Sequence, residues 1–108
     1  MRSIVKLPAA IVDMTEAALY LEEEAGLDIA VRFLDICEEA FQQLAAMPGM
    51  GSLRPATGYP DARTWRLNPH PHMVIYQATP STLVIIRVIH GARDLTAIIG
   101  SPAIADEL

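Results

Sequence analysis

Two apolar stripes of helical period lie one after the other near the start of this chain, and they constrain its fold more than any other feature. Ile11, Met14, Ala18, Leu21 and Ala25 recur at alternating steps of three and four residues. Ala30, Phe33, Cys37, Ala40, Leu44 and Met47 repeat the pattern, and Leu34 and Phe41 widen the second stripe. Each set falls on one face of an amphipathic helix, with Asp13, Glu16 and Glu23 on the other sides of the first. Gly26 is placed to stop the first helix, Asp28 to accept the opening amide bonds of the second, and Pro48-Gly49 to end it. A link this short makes the two helices an antiparallel hairpin. No third helix of that length follows, so a sheet must cover the apolar faces.

The remaining segments supply that sheet. Ile4, Val5 and Leu7 form a short β-prone stretch closed by Pro8, which suits the first turn of a helix. Three further strands are predicted over Thr64 to Leu67, Met73 to Gln77 and Leu83 to Ile89. They are separated by Asn68-Pro69-His70-Pro71 and Pro80-Ser81, both turn-forming, which makes them an antiparallel meander. The glycine- and proline-rich stretch 48–63 reads as a loop. The expected fold is α+β, ordered β-α-α-β-β-β, with a two-helix antiparallel hairpin on one face of a small, mainly antiparallel four-stranded sheet. The other face stays open, and the first strand is the natural edge. One domain spans 1–108, with 96–108 as a flexible tail.

Composition narrows the setting. No apolar run approaches the roughly 18 residues needed to cross a bilayer, and the first dozen residues lack the pattern of a signal peptide. The single cysteine, Cys37, sits on a helix stripe and reads as a buried core thiol in a reducing compartment. The expectation is a cytoplasmic protein without membrane attachment. His70 and His72 alone are a weak ligand pair, and no metal or cofactor is expected. The net charge of −5 is unevenly spread. Residues 1–47 hold nine acids and three bases, whereas 54–93 hold five arginines and only Asp61. An acidic half thus precedes an arginine-bearing half.

Two of those arginines, Arg87 and Arg93, sit at the last strand. Val84-Ile85-Ile86-Arg87-Val88-Ile89-His90-Gly91-Ala92-Arg93 is an apolar run that carries one arginine, breaks at a glycine, and is flanked there by a histidine and another arginine. A charge inside such a strand must be paired or exposed. Arg87 therefore either pairs with an acid, of the hairpin or of another chain, or makes an exposed contact on the open face. Period-2 alternation sets Arg66 opposite Trp65 and Leu67, and gives Arg87 a face in common with Ile85 and Ile89.

With these elements in place, the chain resembles the RelE/ParE superfamily of small toxins from prokaryotic type II toxin-antitoxin systems, and within it the ParE-like branch. The similar pieces are Ala30-Val31-Arg32-Phe33, Leu44 through Met47-Pro48-Gly49-Met50-Gly51, Trp65-Arg66-Leu67, Val74-Ile75-Tyr76 and Arg87-Val88-Ile89-His90-Gly91-Ala92-Arg93-Asp94-Leu95. The resemblance implies a toxin held inactive in a hetero-oligomer by a cognate antitoxin, whose extended or helical C-terminal segment wraps the hairpin and the sheet. Ile11, Met14, Leu21, Phe33, Leu34, Phe41, Trp65 and Tyr76 are the expected antitoxin contacts. Arg66, Arg87, His90 and Arg93 are the expected target contacts.

ParE-like toxins act on DNA gyrase, and RelE-like toxins cut messenger RNA on the ribosome. Cutting RNA needs a base, an acid and cations for the phosphorane charge. This chain has no lysine after Lys6 and no tyrosine after Tyr76, and it is acidic overall. The reading is a non-enzymatic gyrase inhibitor that does not itself bind DNA. The alternatives are a metal-independent mRNA endoribonuclease using His90, Arg87, Arg93 and Arg66, or an inactive toxin that serves only as an antitoxin-binding co-repressor.

Overall fold

The computed structural model describes residues 2–54 and 59–91. In chain order its elements are β1 (Ser3–Lys6), α1 (Pro8–Ala25), α2 (Leu27–Ala46), a 3-10 turn (Pro48–Met50), β2 (Ser52–Leu53), β3 (Arg63–Arg66), β4 (His72–Ala78) and β5 (Thr82–His90). The α+β order and the hairpin are as expected, but the sheet has five strands in the order β1-β5-β4-β3-β2. β1 runs parallel to β5 and the other pairings are antiparallel. β1 is an edge, as predicted. The additional strand, β2, comes from the stretch read as a loop. Two residues show no periodicity, and long-range hydrogen bonds hold them in place. Tyr76 donates its hydroxyl to the Pro48 carbonyl at 2.6 Å and accepts the Gly51 amide at 2.9 Å, while Arg63 donates to the Gly51 carbonyl at 2.8 Å. Burial pushes the Tyr76 hydroxyl pKa above its usual value, against the opposing pull of the Gly51 amide and Arg63.

The hairpin turns on one residue. Gly26 adopts φ +99°, a backbone region that side chains with a Cβ rarely enter. Its amide closes α1 on Glu22, and its carbonyl accepts the Ala30 amide. Asp28 is therefore not the cap of α2; it lies inside the first turn, where its charge still favours the helix dipole. Across the molecule Arg2 donates to the Ala45 carbonyl at 3.2 Å, which places a cation at the other end of α2.

Both helices pack on one face of the sheet, α1 through Ala10, Met14, Ala17 and Leu21 and α2 through most of its stripe, while Ile11, Ala25 and Met47 of the predicted stripes stay exposed. Phe33, Cys37, Phe41 and Leu44 meet Val74, Tyr76, Leu83, Ile85 and Val88 there. Burial and the neighbouring Glu38 push the Cys37 thiol up to about 12, so it is an unreactive core group. The opposite face differs from the expectation of an open surface. Ile75, Ile86 and Ile89 are buried in a second apolar cluster with Ala62, and Leu7, Tyr59, Met73 and Val84 pack against it. A bulge decides which β5 residues point there. Arg87 pairs with Ile75 but Ile85 pairs with Tyr76, leaving Ile86 as an extra residue. Ile85 and Val88 consequently join the helical side, whereas Ile86 and Ile89 join the other. Arg87 thus shares its register side with Ile89 but not with Ile85.

Candidate functional site

Helix α1 is apolar beyond its core-facing stripe, and the surplus makes a groove on the outside of the hairpin. Ile11 and Leu19 of α1 stand beside Leu27 and Val31 of α2, each about half exposed or more. With Thr15, Ala18 and Leu34 they line a depression of about 480 Å³ whose polar boundary includes Lys6 and Glu22. Lys6 is tied to Glu38 at 2.7 Å. Large apolar side chains converging on one exposed concavity mark an interaction surface.

A second feature joins the hairpin to the sheet. β1 accompanies β5 only from Thr82 to Ile85, after which α1 takes its place along the strand edge. Asp13 of α1 fills that position. Its carboxylate accepts Arg87 Nε at 2.7 Å, Arg87 Nη2 at 2.8 Å and the Val88 amide at 3.0 Å. The two-pronged contact with the guanidinium fixes orientation as well as distance. Arg87 therefore takes the first of its two expected roles, pairing with a hairpin acid. Asp13 does not lie on a solvated helix face, as its place off the stripe suggested.

A third feature is the cleft at the end of β5, of about 540 Å³. All three histidines of the chain meet there. The His72 ring lies 5.7 Å from that of His90 and 6.3 Å from that of His70, and Phe33 stands edge-on to His70 and His72. Asp13, Glu16 and Tyr20 close the α1 side. Among the described residues no group of histidines, cysteines and acids is arranged to hold a metal ion. The antiparallel register brings His72 opposite His90, and the β3–β4 turn folds His70 back over them. Sequence spacing alone paired only His70 with His72.

The expected contact residues divide by depth. Phe33, Phe41 and Tyr76 are completely buried and Met14 nearly so, hence they shape the core beneath the surface. Leu21, Leu34 and Trp65 are half-buried and Ile11 is exposed. Arg66 is exposed, His90 lines the cleft, and Arg93 lies outside the described residues together with the tail 92–108. The groove residues missed at first were Leu19, Leu27 and Val31. Their signal was apolar character on faces where helical period alone predicts polar residues.

A comparison with curated proteins finds no match. Among solved structures, the chain is similar to one titled chromosomal ParDE TA system from P. aeruginosa. The TM-score is 0.70 at 20% identity, covering 83% of this chain and 96% of that one, a likeness of fold. The family model of the ParE toxin of the type II toxin-antitoxin system parDE matches residues 4–95, spanning the hairpin, the sheet and the arginine-histidine corner. The chain belongs to the ParE toxin family of type II toxin-antitoxin systems.

Proposed function

We propose that this ParE-type toxin inhibits DNA gyrase without acting as a nuclease, and that a cognate antitoxin neutralises it by seating a segment on the hairpin groove. The observation that carries the choice of target is the acid lining of the histidine cleft. Asp13 and Glu16 line the cleft with His90, so a phosphate entering it meets the Glu16 carboxylate and an Asp13 already paired with Arg87. Arg87, the nearest strand arginine, already gives Nε and Nη2 to Asp13. Arg63 donates to Gly51. Cleaving RNA requires spare cationic groups aimed at developing phosphorane charge, and this arrangement opposes it. Arg66, exposed on β3, and Arg93 remain the proposed target contacts.

One observation favours a RelE-like ribonuclease, namely the meeting of three imidazoles capable of proton transfer. Induced expression without the neighbouring gene separates the readings. Gyrase-dependent DNA breaks and loss of supercoiling by purified gyrase are expected, with both effects weakened by Arg66→Ala. Cut messages that disappear with His90→Ala establish the nuclease instead. Normal growth under strong expression establishes the inactive co-repressor.

A further inference from the structure

The hairpin is as acidic as its groove is apolar. From Pro8 to Ala46 it carries nine acids and one base, Arg32, a net charge of −8. Asp13 is held by Arg87 and Glu38 by Lys6. Seven acids remain, all exposed: Glu16, Glu22, Glu23, Glu24, Asp28, Asp35 and Glu39. Glu22 lines the groove itself. Asp35 stands one helical turn beyond Val31, on the groove's side of α2, while Glu38, one turn beyond Leu34, is already matched by Lys6 at the groove's edge. Glu23, Glu24 and Asp28 surround the turn at Gly26. The apolar floor is thus bordered along α2 and at its tip by negative charge.

That border selects the occupant. A second copy of this chain presents the same acidic rim, and like charges brought together across an interface repel. An acidic or neutral segment gains the apolar contact but meets the same field. The floor runs from Ile11 to Glu22 along α1, a length of about 17 Å or three turns of a docked helix. We infer that the groove takes a three-turn amphipathic helix whose apolar stripe is flanked by lysines and arginines. This rests on the reading of the groove as the antitoxin's seat and adds its chemistry: the docking segment of the antitoxin is basic. Lysine and arginine stems also cover apolar surface while their charges reach the rim.

The test uses the purified chain and three synthetic peptides of roughly 16 residues, enough to span the groove. Two share one leucine-isoleucine stripe and differ only in lysine or glutamate flanks; the third has the lysine composition with the stripe scrambled. Binding followed by fluorescence anisotropy at low salt should favour the lysine-flanked helix by at least about tenfold over both others. That advantage should shrink as salt rises to about 500 mM. Leu19→Asp should abolish binding, and the triple reversal Glu22→Lys, Asp28→Lys, Asp35→Lys should invert the flank preference. Equal binding of the two striped peptides, binding of the scrambled one, or a stable homodimer that buries the groove overturns the inference. The neighbour-encoded antitoxin tells the two levels apart. If it neutralises the toxin but binds the triple variant undiminished, the basic-flank inference fails and the antitoxin reading stands. If it binds neither form, the antitoxin reading fails.

Discussion

Removing the Asp13 carboxylate should loosen the joint between hairpin and sheet more than removing any other surface acid. Three hydrogen bonds end on it, at 2.7, 2.8 and 3.0 Å, two from Arg87 and one from the Val88 amide. The side chains are 13% and 30% exposed, which puts the pair between two regimes. A solvated pair contributes about 0–1 kcal/mol, whereas breaking a buried one costs about 3–5 kcal/mol. Asp13→Ala removes the acceptor of two guanidinium bonds and of a strand amide together, so an intermediate loss of about 2–4 kcal/mol is expected. Asp13→Asn keeps one carbonyl acceptor but no charge and should lose about 1–2 kcal/mol. Urea unfolding of the purified chain measures both. For a domain of this size the alanine variant should melt on the order of 10 °C lower. A double-mutant cycle with Arg87→Met should return a coupling of about 1–2 kcal/mol. If Asp13→Ala lies within about 0.5 kcal/mol of the parent, the carboxylate does not hold the helix to the strand and the reasoning is wrong.

Other outcomes follow from the same geometry. A Cβ at Gly51 would overlap the Tyr76 hydroxyl and come within 2.7 Å of the Thr64 carbonyl, so Gly51→Ala should cost about 1–3 kcal/mol in denaturant titrations. Tyr76→Phe loses the bonds to Pro48 and Gly51 and should cost about 1–2 kcal/mol, detaching β2 in hydrogen exchange before global unfolding. The folded Cys37 thiol holds its proton to about 12, above its unfolded value. Its contribution to stability is therefore intact below about pH 9 and falls at about 1.4 kcal/mol per pH unit as pH rises toward the folded value. Cys37→Ala should flatten that alkaline decline in urea titrations run at successive pH values. Leu19→Asp should leave stability within about 0.5 kcal/mol of the parent while weakening antitoxin capture at least tenfold.

Local pattern accounts for much of this fold and for little of its sites. The steps of three and four that set α1 and α2, and the turn residues between β3, β4 and β5, are short-range signals carried by residues near one another in sequence. The predicted strand boundaries fall within one residue of β3, β4 and β5. What stayed hidden depends on distant partners. β2 exists because Tyr76 reaches the segment around Gly51, a link across 25 residues. The bulge at Ile86 reverses an alternation that sequence treats as continuous. Asp13 meets Arg87 across 74 residues, and the histidines converge only when β4 pairs with β5. The apolar surplus of α1 was visible at Leu19, but which side of the hairpin it served depended on how the helices lean together.

The parallel pairing of β1 with β5 carries a consequence for how the toxin is made. Ser3 finds its neighbour at Thr82, and the Leu7 amide finds its acceptor at Ile85. During synthesis β1 must wait, unmatched, until β5 has left the ribosome. A product that stops short of β5 lacks the strand between β1 and β4 and leaves the hairpin without most of its platform. Translation interrupted before β5 should therefore release fragments that cannot complete this sheet.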